Sequence, residues 1–351
     1  MKTAFRVDAS AAIGSGHFMR CLTLADALHA AGTHTRFVCR ELPEHLRRTL
    51  DEHGHELLTL PSITHPAPCD DNALDHAHWL GASQQQDATE TLAALTDAPG
   101  DTTYDWLVVD HYGIDHRWET MLRKIARKIL VIDDLADRRH DCDALVDQNL
   151  YAHSETRYAG KTPAACKLFL GPSYAFLRDE FHAQRAQLQP RTGKVRNILI
   201  YFGGVDANNH TLEAINALLA TGTQGLCIDV VIGAQHPARE AIQTACHANG
   251  FRCHVQTRNM AELMARADLA IGAGGISSFE RLYLRLPSIL TPIADNQVEQ
   301  LEHMRDQGLC QLYTSHTELE MQLRQALSGP LEPPPDCVSD GNKALVAHLL
   351  S

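Results

Sequence analysis

Several of the usual routes to a function are missing from this sequence. Its ten cysteines are scattered from Cys21 to Cys337 without a C-x-x-C pair, so they read as reduced thiols in a cytoplasmic protein. No apolar run is long enough to span a bilayer, and no leader-like stretch opens the chain. Basic residues are outnumbered, 31 Lys and Arg against 43 Asp and Glu, for a formal charge of −12. That balance argues against nucleic acid and anionic membranes as partners, while a local phosphate site stays open at helix N-termini and single arginines. A P-loop is absent, since Gly193-Lys194 has no matching glycine upstream, and there is no G-x-S-x-G elbow. The 21 histidines include the pairs His53/His55 and His76/His78. Neither pair has a convincing third ligand, so they read as solvated side chains and no metal is expected.

What the chain does have is alternation of strand and helix signals, the mark of parallel α/β layers. Its 351 residues, 44% hydrophobic and 21% charged, are more than one core usually serves. The centre of the first half is Ile13 to Arg20, between a strand at Ala4–Val7 and a helix from Cys21 to Ala31. A Gly-x-Gly turn there, Gly14 and Gly16, lets backbone approach a ligand and aims N–H groups at negative charge. Met19 stands where dinucleotide enzymes carry a third glycine, which weighs against a nicotinamide reading that Glu41 keeps alive. His17 sits in the turn, at the positive end of the helix dipole, where a neutral ring able to accept a proton is favoured over imidazolium. Further strands are expected at 35–39, 55–60, 106–110, 128–134, 144–148 and 167–171, with a Pro-rich loop (Pro61, Pro66, Pro68), a helix at 84–95 and a basic helix at 118–127.

Residues 1–183 read as one domain, 184–194 as a polar linker and 195–337 as a second domain, with the tail helix in 338–351 packed back on the first. The second half restarts with a strand at 197–202 and the turn Gly203-Gly204-Val205-Asp206. Strands at 227–233, 269–271 and 287–292 follow, with a further turn at 272–275. Ligands of open parallel sheets bind outside the carboxyl ends of the strands. Two such sheets facing across a linker would gather these turns around one cleft, suited to a ligand with a diphosphate in its middle. Gly274, Gly275, Ser277 and Ser278 offer donors for phosphate, and Glu280 could accept both ribose hydroxyls; a capped helix with a first-turn acid explains the same residues. Asp206 could equally cap a helix starting near Asn209. Tyr112 and the pair Asp110-His111 end a strand where polar side chains face ligands. Asp133-Asp134 could mimic a metal-binding pair or ion-pair with Arg138 and Arg139.

Along nearly its whole length the chain resembles the UDP-sugar hydrolases of pseudaminic acid biosynthesis. The matching stretches are IGSGHFMRCLTLADAL, HWLGASQQQDATETLAAL, DWLVVDHYGIDHRWE, ILVIDDLADRRHDCDALVDQNL, FLGPSYAFLRDEF, FGGVDANN, NMAELMARADLAIGAGGISSFE and ADNQ. The resemblance implies an α/β GT-B-like fold of two Rossmann-type domains. It implies hydrolysis of UDP-2,4-diacetamido-2,4,6-trideoxy-β-L-altropyranose by inverting attack of water at the anomeric carbon, with His17 as base, no metal and no cofactor. Gly14, Gly16 and Arg20 would steady the departing diphosphate, and Tyr112 and Asn149 would face the sugar. Gly203, Gly204, Asp206, Thr257, Met260, Gly274, Gly275, Ser277, Ser278, Glu280, Asn296 and Gln297 would bind UDP. Two departures are visible: Ala207 replaces the proline after the GG-x-D aspartate, and Ile276-Ser277-Ser278-Phe279 replaces a Ser-Thr-Ser-Trp run. A GT-B glycosyltransferase with an acceptor other than water, or a nucleotide-sugar binding protein without activity, are the alternatives. A monomer is expected.

Overall fold

The computed structural model describes residues 1–10, 12–62, 74–97, 102–191, 193–339 and 341–351. Pro66 and Pro68 of the expected Pro-rich loop lie outside the described residues. Two compact units divide the chain. The first comprises Met1–Asn149, His153–Phe176 and Asp340–Ser351, the second Leu150–Ala152 and Leu177–Ser339.

In the first unit the elements alternate: β1 (Lys2–Val7), α1 (Gly16–Ala30), β2 (His34–Cys39), α2 (Glu44–Glu52), β3 (Glu56–Thr59), α3 (Gln84–Asp97), β4 (Tyr104–Asp110), α4 (His116–Leu122), β5 (Ala126–Ile132), β6 (Ala144–Asp147) and β7 (Lys167–Leu170). The strands form one parallel sheet in the order β3-β2-β1-β4-β5-β6-β7. Period-two alternation sorts their side chains. Phe5, Val7, Phe37, Val108 and Leu130 pack with Phe18, Leu22 and Leu28 of α1. On the other face Ala4, Val38, Leu107, Val109 and Ile129 pack with Leu95 of α3 and Trp118 of α4. Both faces are covered, as a parallel sheet requires.

The second unit contains α5 (Asp179–Ala186), β8 (Asn197–Tyr201), α6 (His210–Thr221), β9 (Cys227–Ile232), α7 (Arg239–Asn249), β10 (Arg252–Val255), α8 (Met260–Arg266), β11 (Leu269–Ala273), α9 (Ile276–Tyr283), β12 (Ser288–Thr291), α10 (Val298–Asp306), β13 (Gln311–Leu312) and α11 (His316–Ser328). Its sheet is also parallel, ordered β10-β9-β8-β11-β12-β13. The last helix, α12 (Gly341–Leu349), belongs to the first unit. Leu345 and Leu349 join that unit's core, and Trp106 Nε1 donates to the Leu349 carbonyl at 2.8 Å.

Three boundaries differ from the sequence reading. The change of unit falls at Leu177 rather than within 184–194, because Phe181 of α5 is buried among Leu199, Met264 and Leu284 of the second core. Most of the expected linker is tied down as well. Arg191 donates to the carbonyls of Met264, Ala265, Ala267, Leu284 and Arg285, which collects the open ends of α8 and α9. The basic helix expected at 118–127 ends at Leu122, since Ala126 and Lys128 pair with Tyr104 and Trp106 of β4.

Candidate active site

In each sheet the order reverses at its first strand, between β1 and β4 in one and between β8 and β11 in the other. Such a switch point opens a crevice beyond the strand ends.

At the first, the loop after β1 folds on Ser10. The amides of Ala12 and Ile13 donate to its Oγ, and that of Gly14 (φ +76°) to its carbonyl at 2.8 Å. Those donors are committed within the loop. The amides of Gly16, His17 and Phe18 open α1, where a helix has no carbonyl to offer.

His17 stands on that first turn, nearly buried, with Nδ1 2.6 Å from Asp110 Oδ1 at the end of β4. An ionised carboxylate only accepts, so Nδ1 carries a proton, and in the neutral ring Nε2 holds the lone pair. Nε2 has no hydrogen-bond partner among the described residues. Burial alone would raise the Asp110 carboxyl, but the Arg20 guanidinium and His17 outweigh it and hold the acid well below the usual range.

Arg20 is buried and fully engaged. Its Nε donates to Asp110 Oδ2 at 2.6 Å, Nη2 to Asp110 Oδ1 at 2.7 Å, and Nη1 to Asp134 Oδ2 at 2.7 Å. It therefore positions two acids, Asp110 and Asp134. Tyr112 and Asn149 bond to the same group of acids. The Tyr112 hydroxyl donates to Asp134 Oδ2 at 2.5 Å, and Asn149 Nδ2 donates to Asp134 Oδ1 at 2.7 Å and Asp147 Oδ1 at 2.9 Å. Their polar tips turn inward, and the Tyr112 ring meets the His17 ring edge-on at 4.5 Å. Burial, with Asp134 and Asp133 nearby, raises the Asp147 carboxyl to about 7. Asp133 pairs with Arg138 at 2.9 Å, so the ion-pair reading holds for it.

Trp79 and His76 were not legible as site residues. Trp79 stacks on Tyr112 at 5.6 Å, and His76 lies edge-on to both. Together with His17 they form an aromatic wall on a half-buried surface. The signal in the sequence is the lone tryptophan of His78-Trp79-Leu80.

At the second switch point Gly203 (φ +99°) opens the turn after β8, and a Cβ on Gly233 would meet the Gly204 carbonyl at 1.9 Å. Asp206 is a helix cap. Oδ1 accepts the amide of His210 at 2.9 Å, and Oδ2 the amide and hydroxyl of Thr211 at 2.8 and 2.6 Å.

After β11 the strand runs through Gly272, whose Cβ would meet the Tyr201 carbonyl at 2.3 Å, so the turn is Gly274-Gly275 alone. Gly275 has φ +89° and precedes α9. A Cβ on Gly274 would meet Gln297 Oε1 and Leu301 at 3.1 Å, and that Gln297 oxygen accepts the Ile293 amide at 3.0 Å. Ser277 is half-buried, while Ser278 is buried and its Oγ accepts from Arg281 at 3.2 Å. Glu280 Oε1 accepts from Arg178 Nη2 at 3.0 Å, a partner about a hundred residues away that no local pattern could show. Asn296 is exposed. Thr257 Oγ1 accepts the Asn259 amide at 3.1 Å, and the Met260 side chain is core. No group of three or more potential metal ligands occurs among the described residues; His53 and His55 converge on Asp26. No helix among them is long and apolar enough to cross a membrane.

Solved structures of this architecture are GT-B enzymes, and this chain has that fold, two Rossmann-type α/β domains. Acinetobacter baumannii MurG superposes with TM-score 0.64 at 14% identity over 100% of this chain and 99% of its own. The spinosyn rhamnosyltransferase SpnG complexed with thymidine diphosphate gives 0.60 at 16% over 99% and 94%. Neisseria meningitidis UDP-GlcNAc 2-epimerase gives 0.58 at 13% over 100% of both chains. In sequence the chain is similar to the UDP-2,4-diacetamido-2,4,6-trideoxy-beta-L-altropyranose hydrolase of Campylobacter jejuni, 26% identical over 81% of this chain and 89% of that one. An uncharacterized Methanocaldococcus jannaschii protein is 24% identical over 83% of this chain, and the Bacillus subtilis spore coat polysaccharide biosynthesis protein SpsG 30% over 40%. The chain spans about half the length of these last two, 55% and 42%. No protein-family profile matches the sequence.

Proposed function

We propose that this chain is a nucleotide-sugar hydrolase that splits UDP-2,4-diacetamido-2,4,6-trideoxy-β-L-altropyranose into free sugar and UDP, a step of pseudaminic acid biosynthesis. The observation that carries the reading is the His17–Asp110 pair at 2.6 Å, with Nε2 unpartnered at a sheet switch point. In this reading Nε2 takes a proton from water as the water oxygen bonds to the anomeric carbon. The bond from that carbon to the phosphate oxygen breaks, and UDP leaves with the electron pair. Asp110 fixes the tautomer and stabilises the imidazolium as it forms. The Gly274-Gly275 turn and the first amides of α9 suit the diphosphate. Ser277 and Glu280 suit the ribose, and the wall of Trp79 and His76 suits the acetamido and methyl groups of the sugar.

The test is incubation without acceptor in oxygen-18 water, with a panel of UDP- and CMP-linked diacetamido sugars followed by NMR and mass spectrometry. Free sugar carrying the label, with inverted anomeric configuration, is the expected product. Label in UDP would mean attack at phosphorus. UDP release that demands an added acceptor would identify a glycosyltransferase, and no turnover with tight binding a nucleotide-sugar binding protein.

A further inference from the structure

Arg281, in the middle of α9, is buried to 1% exposure. The other buried arginines all face carboxylates: Arg6 meets Asp8 and Asp87, Arg20 meets Asp110 and Asp134, Arg36 meets Glu56, and Arg138 meets Asp133. Arg281 has no carboxylate within ion-pair distance among the described residues. Its Nη2 donates to the Ala273 carbonyl and, at 3.2 Å, to Ser278 Oγ. Its Nε has no hydrogen-bond partner among those residues. Glu280, next to it in the chain, turns its Oε1 to Arg178 instead.

An unpaired buried cation is strongly unfavourable, and an apolar side chain of similar volume would serve packing better. Burial pulls the guanidinium down to about 10 against the opposing charge of Glu280, which acts without an ion-pair contact, and this still leaves it charged at neutral pH. Its position explains its retention. Ala273 ends β11 and Ser278 lies in the first turn of α9, so the two acceptors bracket the Gly274-Gly275 turn and the charge sits directly behind it. Arg191 shows the contrast: it too has no carboxylate within ion-pair distance among the described residues, but five carbonyls account for it as a scaffold tie.

We propose that Arg281 is the built-in counter-charge for the diphosphate of the nucleotide, acting from behind the Gly274-Gly275 turn as a positioning residue without touching the ligand. The proposal rests on the UDP-sugar reading above. The anion completes the ion pair that the fold leaves open, and the helix dipole of α9 adds to the same potential. A buried charge acting over a few ångströms at a protein-like dielectric is worth about one to two powers of ten in affinity for such an anion.

The experiment is calorimetric titration of UDP, UMP and uridine into wild type, Arg281→Gln and Arg281→Lys, with thermal melts of the free proteins. Arg281→Gln keeps an amide donor for the Ala273 carbonyl and removes the charge. It is expected to melt no lower than wild type and to lose about ten- to a hundredfold in UDP affinity while uridine affinity stays level. Arg281→Lys keeps the charge and is expected to hold the ratio of UDP to uridine affinity within about threefold of wild type. Should Arg281→Gln fail to fold, the lysine variant decides: a tenfold collapse of that ratio overturns the proposal. Unchanged UDP binding in Arg281→Gln, or equal losses for UDP and uridine with a lowered melting temperature, also overturns it. Failure of wild type to bind UDP at all is a different result, and removes the UDP-sugar reading itself.

Discussion

Asp110 holds His17 and Arg20 at once. His17 Nδ1 lies 2.6 Å from one of its oxygens, and Arg20 grips both oxygens through Nε and Nη2. Imidazole, carboxylate and guanidinium are thus locked together by two residues three apart on α1 and one at the end of β4.

His17→Asn is expected to lower kcat by about two to four powers of ten, the usual worth of a general base, and to leave UDP binding in place. Steady-state kinetics beside UDP titration checks both halves. Loss of UDP binding together with rate would show that the substitution disturbs the loop.

Asp110→Asn should act on rate and fold together. It replaces one accepting oxygen by a donating amide, so the His17 tautomer is no longer fixed, and it leaves Arg20 with Asp134 as its one remaining carboxylate. Breaking one partner of a buried ion pair costs about 3–5 kcal/mol. Urea denaturation is expected to show a loss of this order, which His17→Asn does not share. The double variant should lose little more rate than either single one, because the two side chains act as a unit.

Glu280→Ala is expected to raise KM more than it lowers kcat. Its proposed contacts are on the ribose, so ground and transition states would lose binding about equally. A variant with unaltered KM would leave Glu280 as the partner of Arg178 and nothing more.

Stability should fall as pH rises toward 7 on account of Asp147. Its carboxyl lies near 7 in the folded chain, raised by burial, against about 4 in an unfolded one. A group raised in this way stabilises the fold below its unfolded value, and that contribution fades as pH climbs through the folded value. Asp147→Asn stays neutral, so its melting temperature relative to wild type is expected to rise between pH 5 and pH 8. A constant difference across that range would refute the assignment.

Activity is expected to survive EDTA. The acids at the β4, β5 and β6 ends are held by Arg20, Arg138 and Asn149, and the His53/His55 pair by Asp26. Inactivation by chelator, reversed by magnesium or manganese, would count against this.

The strands, their order of appearance and the glycine turns were legible because apolar runs and Gly-Gly pairs are local signals. The His17 turn was legible for the same reason. The roles of Arg20, Tyr112 and Asn149 were not. Each is polar and lies near a strand end or turn, which reads as ligand-facing, yet each bonds to Asp134, 15 to 114 residues away. Periodicity carries no information about such long-range pairs. Asp206 shows the opposite case, a residue for which capping and binding were both in view and whose two oxygens settle on the cap. The strands β10 and β13 were missed because Arg252–Val255 carries an arginine and a histidine in place of an apolar run, and Gln311–Leu312 is only two residues long.

At Leu177 the chain leaves its first unit, builds nearly all of the second, and returns at α12 to place Leu345 and Leu349 in the first core. Synthesis runs from one end, so the unit begun earliest is completed last. Until α12 emerges, the face around Trp106 and Phe169 stays open, and the nascent N-terminal half must wait with that apolar surface uncovered.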